Sequence, residues 1–284
     1  MPKISRQLID TLSRRGVFLT ALAAILIVFL IGLFVIQQGL PAFRAIGVFK
    51  FLFGTVWRPG IDEFGILPMI VGSIYITIGA LLLSAPLGIA CAIFLAEVAP
   101  NRARGVVRNA VELLVGIPSV VYGLVGMVVI VPLIREIGGN GYSVLAGVIV
   151  LTIMILPTIV SISEDSLRAV PVSYREGALA LGASHWQTIW HVMLPAARSG
   201  IMAAVILAMG RAIGETMAMI MVIGNSILIP TSPLDPARTL TGNIAVEIMY
   251  ASGLHESALF ATGIVLFVLI MGLNSLAFVA RRHA

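Results

Sequence analysis

Residues 176–195 read EGALALGASHWQTIWHVMLP, a polar segment with two tryptophans and two histidines between long apolar segments. Apolar runs of about 20 residues are long enough to cross a bilayer. A polar loop of this kind between such runs indicates a membrane protein that docks another molecule on one of its faces. The segment therefore predicts a docking element beside the membrane.

Local signals predict a helix–turn–helix hairpin within 163–198. Pro171 fits the first position of a helix, and Ser173 with Glu176, three residues apart, fits a capping box. Gly182 is expected to end this helix, because glycine readily adopts the left-handed conformation that many helix ends need.

A second short helix is predicted after this turn. Ser184 fits its N-cap, and Pro195 is expected to end it. One face of this helix would carry Trp186, Ile189, Trp190 and Met193. The composition of the segment fits equally an amphipathic hairpin that lies on the membrane surface.

The composition of the whole chain is that of an integral membrane protein. Of its 284 residues, 59% are hydrophobic and 11% are charged, whereas soluble domains carry about 25% charged residues. The predicted fold class is all-α, a single membrane domain over 1–284 that no linker or internal repeat divides. Its six spans are predicted at 17–38, 69–96, 111–133, 142–162, 199–224 and 259–280.

The formal net charge of +5 comes from arginines and lysines in short loops, so it reports topology and does not indicate nucleic-acid binding. An excess of these residues marks the cytoplasmic side. The richer side carries Lys3, Arg6, Arg14, Arg15, Arg102, Arg104, Arg108, Arg168, Arg175, Arg198, Arg281 and Arg282. The other side carries Arg44, Lys50, Arg58, Arg135 and Arg238. Both termini and the loop 163–198 are therefore predicted to be cytoplasmic.

Two longer loops, 39–68 and 225–258, are predicted on the outer side. In the first, Phe51, Phe53 and Trp57 are spaced like an aromatic belt at the headgroup level. In the second, residues 240–257 regain a helical pattern, which predicts a short outer helix.

The fifth predicted span contains GRAIGETMAMIMVIGN at 210–225, with Arg211 and Glu215 four residues apart and hence on one helical face. A central charge costs roughly 2.5–3.5 kcal/mol, whereas each Leu, Ile or Val returns only about 0.3–0.6 kcal/mol. The two charges outweigh or nearly outweigh the apolar gain of the helix. This face must therefore line a protein interior or a wet pathway.

Arg211 and Glu215 fit two roles. One is a structural ion pair. The other is an anion pathway, since a guanidinium offers a planar fork of donors to phosphate oxygens. Glu215 could then accept a proton from hydrogen phosphate, a proton that sulfate lacks at neutral pH. Thr216 and Asn225 are candidate neighbours on this pathway by helical proximity.

The hairpin sequence resembles the coupling loop of ABC-importer permeases, which reads E-A-A, three residues, G, nine residues, I-x-L-P. This chain has E-G-A at 176–178, Gly182, and V-M-L-P at 192–195 with the same spacing. The resemblance implies docking on an ATP-hydrolysing subunit through Arg175, Glu176, Gly177, Ala178, Gly182, Leu194 and Pro195. The chain contains no G-x-x-x-x-G-K-[ST] sequence, so ATP and Mg²⁺ are expected on separate ATPase subunits and this chain is expected to bind no cofactor.

The segments 210–225 and 57–97 resemble PstC-type permease subunits of phosphate-specific ABC importers. The resemblance implies a six-helix type I (MetI-like) permease in a bacterial plasma (inner) membrane that performs no covalent chemistry. It also implies a PstA-type sibling permease, two PstB-type ATPases and a PstS-type phosphate-binding protein as partners. The alternatives are an importer of another oxyanion or a phosphonate and, more distantly, a channel or secondary carrier.

Overall fold

The computed structural model describes residues 6–283 and the side chains of residues 13–275. The predicted cytoplasmic charges at Lys3, Arg6, Arg281 and Arg282 lie outside the described side chains. The helices are α1 (Arg6–Ile46), α2 (Val48–Phe53), α3 (Leu67–Ile93), α4 (Asn101–Gly116), α5 (Ser119–Val125), α6 (Val131–Ile137), α7 (Val144–Arg168), α8 (Val172–Ala180), α9 (His185–Thr188), α10 (Leu194–Gly214), α11 (Met217–Val222), α12 (Leu240–Glu247) and α13 (Leu254–His283).

Short non-α elements join or interrupt these helices. A 3₁₀ turn, Pro59–Ile61, connects strands β1 (Trp57–Arg58) and β2 (Glu63–Phe64), which pair antiparallel with Trp57 opposite Phe64. Wide π turns occur in three of the spans, at the end of the second and within the third and fifth. They occupy Phe94–Val98, Gly126–Ile130 and Ile189–Met193.

Six helical stretches in the described chain are long and apolar enough to cross a membrane, as predicted. They are Ser13–Ile46, Leu67–Val98, Ser119–Ile137, Val144–Arg168, His185–Gly214 and Leu254–Ser275. We call the end of the bundle that carries the loop 163–198 the hairpin end, and the other end the far end.

The boundaries of several spans differ from those predicted: the first runs on to Ile46 and the fourth to Arg168, and the third and fifth differ most. The third was placed at 111–133, but α4 ends at Gly116 and the span begins at Ser119. Pro118 causes this break, because a residue before proline is pushed out of the helical region, and Ile117 has an extended ψ of 127°. The fifth span was placed at 199–224, but it begins at the hairpin and stops at Gly214.

The fourth span, α7, lies at the centre of the bundle. Two glycines of α3 allow it to approach closely: a Cβ at Gly79 would lie 2.6 Å from Val148, and one at Gly88 would lie 2.7 Å from Ile159. In lipid, no hydrophobic driving force brings helices together. Small residues let the backbones approach closely, so that van der Waals packing stabilises the contact. The packing of α3, α7 and α10 fixes the positions of the hairpin and of the fifth span.

At the far end, the predicted aromatic belt is wrong for two of its three members. Phe53 is 63% exposed, but Phe51 and Trp57 are buried in a core shared with Phe64. Trp57 is held there by an edge-on contact with Phe64 and by a hydrogen bond to a carboxylate described below. A short helix is present within 240–257, as predicted, but it covers only Leu240–Glu247 (α12).

Candidate functional site

The first half of the predicted hairpin is α8. Pro171 is its N-cap and not its first helical residue, with an extended ψ of 135°. The predicted Ser173–Glu176 capping box is wrong, because the helix begins at Val172 and places Ser173 inside its first turn. Gly182 has φ of +86°, which confirms the predicted left-handed turn.

The second half begins as predicted but does not end at Pro195. Ser184 Oγ accepts from Gln187 N (3.3 Å) while Gln187 Oε1 accepts from Ser184 N (2.8 Å), a complete capping box. The helix then runs on through α10 as one continuous stretch, His185–Gly214. The π turn just before Pro195 changes the hydrogen-bond register, which lets the helix accept a residue without an N–H.

The hairpin presents an exposed apolar surface. Leu181 at its tip is 91% exposed, and every residue of α8 is at least partly exposed. The four residues predicted on one face are divided: Ile189 and Met193 are buried, whereas both tryptophans remain outside. We define the docking surface as Val172, Tyr174, Leu179, Leu181, Trp186 and Trp190.

The remaining hairpin positions differ in direction. Glu176 and Pro195 are exposed, and a Cβ at Gly177 would meet open space. Ala178 and Leu194 are half-buried. Arg175 instead turns inward and forms an ion pair with Glu97, at the hairpin end of the second span.

The expectation that Arg211 and Glu215 share a helical face is wrong. Helix α10 ends at Gly214, and Glu215 has an extended backbone with ψ of 126° before the chain re-enters a helix at Met217. Glu215 Oε1 accepts a hydrogen bond from Ala218 N (3.1 Å). The carboxylate therefore satisfies a free amide in the first turn of α11.

This break lies within the bundle and not in a surface loop. Ser143 N, just before α7, donates to Val222 O (3.3 Å), so α11 ends level with the far end of the fourth span. A six-residue helix is about 9 Å long, so Glu215 and Thr216 lie within roughly that distance of Val222. Irregular backbone at such a depth occurs where protein buries it or where it lines a cavity.

A hydroxyl group of α12 supports the broken backbone, and a hydroxyl group of α3 holds α12 in place. Thr241 Oγ1 donates to Glu215 O (3.1 Å), and Ser73 Oγ accepts from Leu240 N (2.9 Å). Thr216 Oγ1 donates to Gly214 O (3.1 Å). Sequence reasoning missed Ser73 and Thr241; the polar run TLTGN at 239–243, directly before a helical pattern, was the available signal.

Arg211 lies on the last turn of α10 with its side chain exposed. Among the described residues it forms no ion pair, so Glu215 does not neutralise it. A guanidinium exposed beside a helix break offers donors to an anionic ligand.

Asn225 lies just after α11, the short helix that follows the break. It is in the left-handed region, with φ of +53°, and its Nδ2 donates to Ile220 O (2.7 Å). Its own carbonyl accepts from Arg238 Nε (3.0 Å). The amide side chain therefore caps α11, and its Oδ1 is buried without a partner among the described residues.

Arg238 belongs to a polar hub at the far end, which we define as Trp57, Arg238, Asn243, Glu247 and His255. Arg238 Nη1 donates to Glu247 Oε1 (2.6 Å) and to Asn243 Oδ1 (3.1 Å). The other oxygen of Glu247 accepts from Trp57 Nε1 (2.8 Å) and lies 2.9 Å from His255 Nε2. The hub thus joins β1, α12, α13 and the chain after α11.

A tight turn at 231–235 precedes Arg238 in the chain. Asp235 Oδ2 accepts from the hydroxyl and the amide of Thr231 and from Ser232 N. These hydrogen bonds, the Thr231 hydroxyl first, hold the pKa of Asp235 below its ordinary value.

Taken together, the six spans, the exposed hairpin and the broken fifth span make up the fold of the permeases of type I ABC importers. The fold of the chain is similar to a bacterial importer of the acidic polysaccharide alginate, with a TM-score of 0.68, 18% identity and coverage of 98% of this chain and 99% of that one. It is also similar to the MetNI methionine transporter, with a TM-score of 0.61, 18% identity and coverage of 80% and 99%.

The family model described as the binding-protein-dependent transport system inner membrane component matches residues 84–283, and the chain belongs to this family. Over 273 residues, it is 45% identical to the probable ABC transporter permease protein YqgH of Bacillus subtilis strain 168, covering 93% of this chain and 88% of that one. It is 39% identical over 274 residues to the phosphate transport system permease protein PstC of Mesorhizobium japonicum, covering 88% and 84%.

Family membership fixes the general role. The chain is a multi-pass inner-membrane permease and a non-catalytic subunit of an ABC importer. Such a permease works with a partner permease, a binding protein and ATPase subunits, and ATP is handled by the ATPases.

Proposed function

We propose that this permease forms half of the translocation pathway of an ATP-driven importer of inorganic phosphate. The carrying observation is the near full-length similarity to permeases named for phosphate transport, at 39% identity in Mesorhizobium japonicum and 36% in Haemophilus influenzae. The proposed partners are a PstA-type sibling permease, two PstB-type ATPases and a PstS-type phosphate-binding protein.

The hairpin end faces the cytoplasm in this proposal, with both termini on that side. The docking surface and Glu176 contact a cleft on the ATPase, and Gly182 sets the turn that presents them. Exposed apolar patches of this kind mark interaction sites. Each of the two permeases carries one such hairpin. When the ATPases bind nucleotide they close on each other, which moves the two hairpins together and opens the pathway to the outside.

Phosphate passes near Arg211 in this proposal. The exposed guanidinium offers paired donors, while Thr216 and the backbone of the break line the same region. Glu215 does not neutralise Arg211, because its carboxylate caps α11. Its direct contact with phosphate would require that hydrogen bond to open.

Another oxyanion or a phosphonate is the second candidate cargo, because the relative at 45% identity is named only as a probable ABC permease. The hairpin contacts the ATPase and not the cargo, so its sequence does not distinguish these cargoes. Substrate choice therefore has to be measured.

The test is ATP-dependent uptake of radiolabelled phosphate in proteoliposomes that hold the complete complex and its binding protein, with sulfate as competitor. Arg211→Ala is compared with Arg211→Lys, which keeps the charge and loses the fork. We expect wild-type uptake that sulfate does not reduce, a collapse in the Ala variant and an intermediate rate in the Lys variant. Normal uptake by assembled Arg211→Ala would exclude Arg211 from the pathway, and equal competition by sulfate would exclude phosphate selectivity.

A further inference from the structure

Arg175 and Glu97 connect two parts of the molecule that are 78 residues apart in sequence. Arg175 lies on α8 of the hairpin. Glu97 lies in the π turn Phe94–Val98 that ends the second span. The Glu97 side chain is 2% exposed and that of Arg175 is 38% exposed. A buried carboxylate needs a charged partner, and this arginine supplies it.

A different arginine already satisfies the end of the second span. Arg104 donates from Nε to Leu95 O (2.8 Å) and from Nη2 to Ala96 O (3.4 Å), the carbonyls that a helix end leaves without partners. Arg175 is therefore not required for capping. Its role is to join α8 to the Glu97 carboxylate.

Among the side chains that the structure describes, the other contacts between the hairpin and the second span are apolar. Ile189 and Met193 pack on Ile93 of the second span and on Leu167 near the end of α7. Apolar contact is non-directional and tolerates sliding, whereas a charge-assisted hydrogen bond fixes the separation and direction of its two groups. The ion pair is thus the contact that can impose a movement of α8 on the second span.

We infer that Arg175 and Glu97 form a tie that transmits displacement of α8 to the second span, so that Arg175 is a positioning residue and does not contact the ATPase. This rests on the proposed docking of the hairpin on an ATPase. Helix α8 already reaches α7 through the chain and α10 through the hairpin turn. The tie adds α3, which packs along α7 in the centre of the bundle, as a third element moved by the same docking event.

The test uses Arg175→Gln, Glu97→Gln and the double variant in the complete complex. Glu112→Gln is the control, because Glu112 pairs with Arg108 (3.1 Å) in an exposed ion pair near the same end. Three quantities are measured: ATPase subunits retained on purification, ATP hydrolysis stimulated by the binding protein, and phosphate uptake per ATP hydrolysed.

We expect both single variants to retain the ATPase and to lose about 10-fold in stimulated hydrolysis, within the roughly 2- to 30-fold range of changes in coupling networks. The double variant should equal the single ones, because residues that act through each other are non-additive. The control should match the wild type.

Three results would overturn the tie: wild-type stimulation in both single variants, losses that multiply in the double variant, or loss of ATPase binding by Arg175→Gln alone. If the permease of a single variant does not fold or does not pair with its sibling permease, the double variant decides, because it leaves no unpaired charge; wild-type stimulation there refutes the tie and a 10-fold loss supports it. Stimulated hydrolysis is independent of cargo identity, so failure of phosphate uptake in the wild type would refute the proposed substrate and not the tie.

Discussion

Replacing Arg238 with alanine tests whether the polar hub holds the far end together. The substitution removes hydrogen bonds to Asn225 O (3.0 Å), Asn243 Oδ1 (3.1 Å) and Glu247 Oε1 (2.6 Å). Arg238 is 13% exposed and Glu247 is 18% exposed, so solvent can replace little of what is lost.

Breaking a buried ion pair by removing one partner costs about 3–5 kcal/mol. At about 1.4 kcal/mol per factor of ten, the equilibrium for local opening of 237–247 should rise roughly 100- to 4,000-fold. Arg238→Lys keeps a charge beside Glu247 and loses the bond to Asn225, so its effect should be smaller.

Hydrogen–deuterium exchange measured by mass spectrometry on the purified complex provides the assay. In Arg238→Ala, amides of 237–247 should exchange faster by that factor, while those of α8, at the opposite end, should keep their wild-type rates. An acceleration of less than about tenfold at 237–247 would show that the hub does not stabilise this region. Equal acceleration in α8 would show global unfolding and would refute a local role.

Three further predictions concern single positions. Gly182→Val forces a β-branched residue into φ of +86° at a cost of roughly 1–2 kcal/mol, so the affinity for the ATPase should fall about 5- to 30-fold in a binding titration. The control Gly32→Ala, on the first span with open space around it and outside the hairpin, should bind normally. Leu181→Asp, at a position 91% exposed, should leave thermal stability unchanged and abolish co-purification of the ATPase; co-purification at the wild-type level would refute the docking surface. Asp235 stabilises its turn while ionised, because the hydrogen bonds lower its pKa; this stabilisation should be complete above the ordinary pKa and disappear as pH falls through the lowered value. In limited proteolysis at neutral pH, Asp235→Ala should be cleaved at 231–235. Resistance of this variant to cleavage would contradict a stabilising role of Asp235.

Local sequence signals predicted the elements whose causes are local. Long apolar runs gave the six spans, and Gly182 and Ser184 gave the turn and cap of the hairpin, since each acts within a few residues. The prediction that the helix ends at Pro195 rested on the same kind of local signal and was wrong. The preceding π turn changes the hydrogen-bond pattern on which the proline rule depends.

The features that the sequence did not reveal depend on distant residues. The fifth span reads as continuous through 210–225, yet it breaks at Glu215 because Thr241 and an Ala218 amide provide partners for the opened chain. Trp57 has the sequence setting of a membrane-interface residue, yet Glu247, 190 residues away, draws it into the core. Pairings across such separations cannot be read from periodicity.

The central question is whether phosphate movement through this permease requires ATP hydrolysis by a separate subunit. Phosphate uptake into proteoliposomes should be followed with and without ATP on the side of the hairpin, in the presence of the binding protein. The account predicts accumulation above the external concentration with ATP and no uptake without it. Equilibration of phosphate in the absence of ATP would contradict it and would identify a channel or secondary carrier instead.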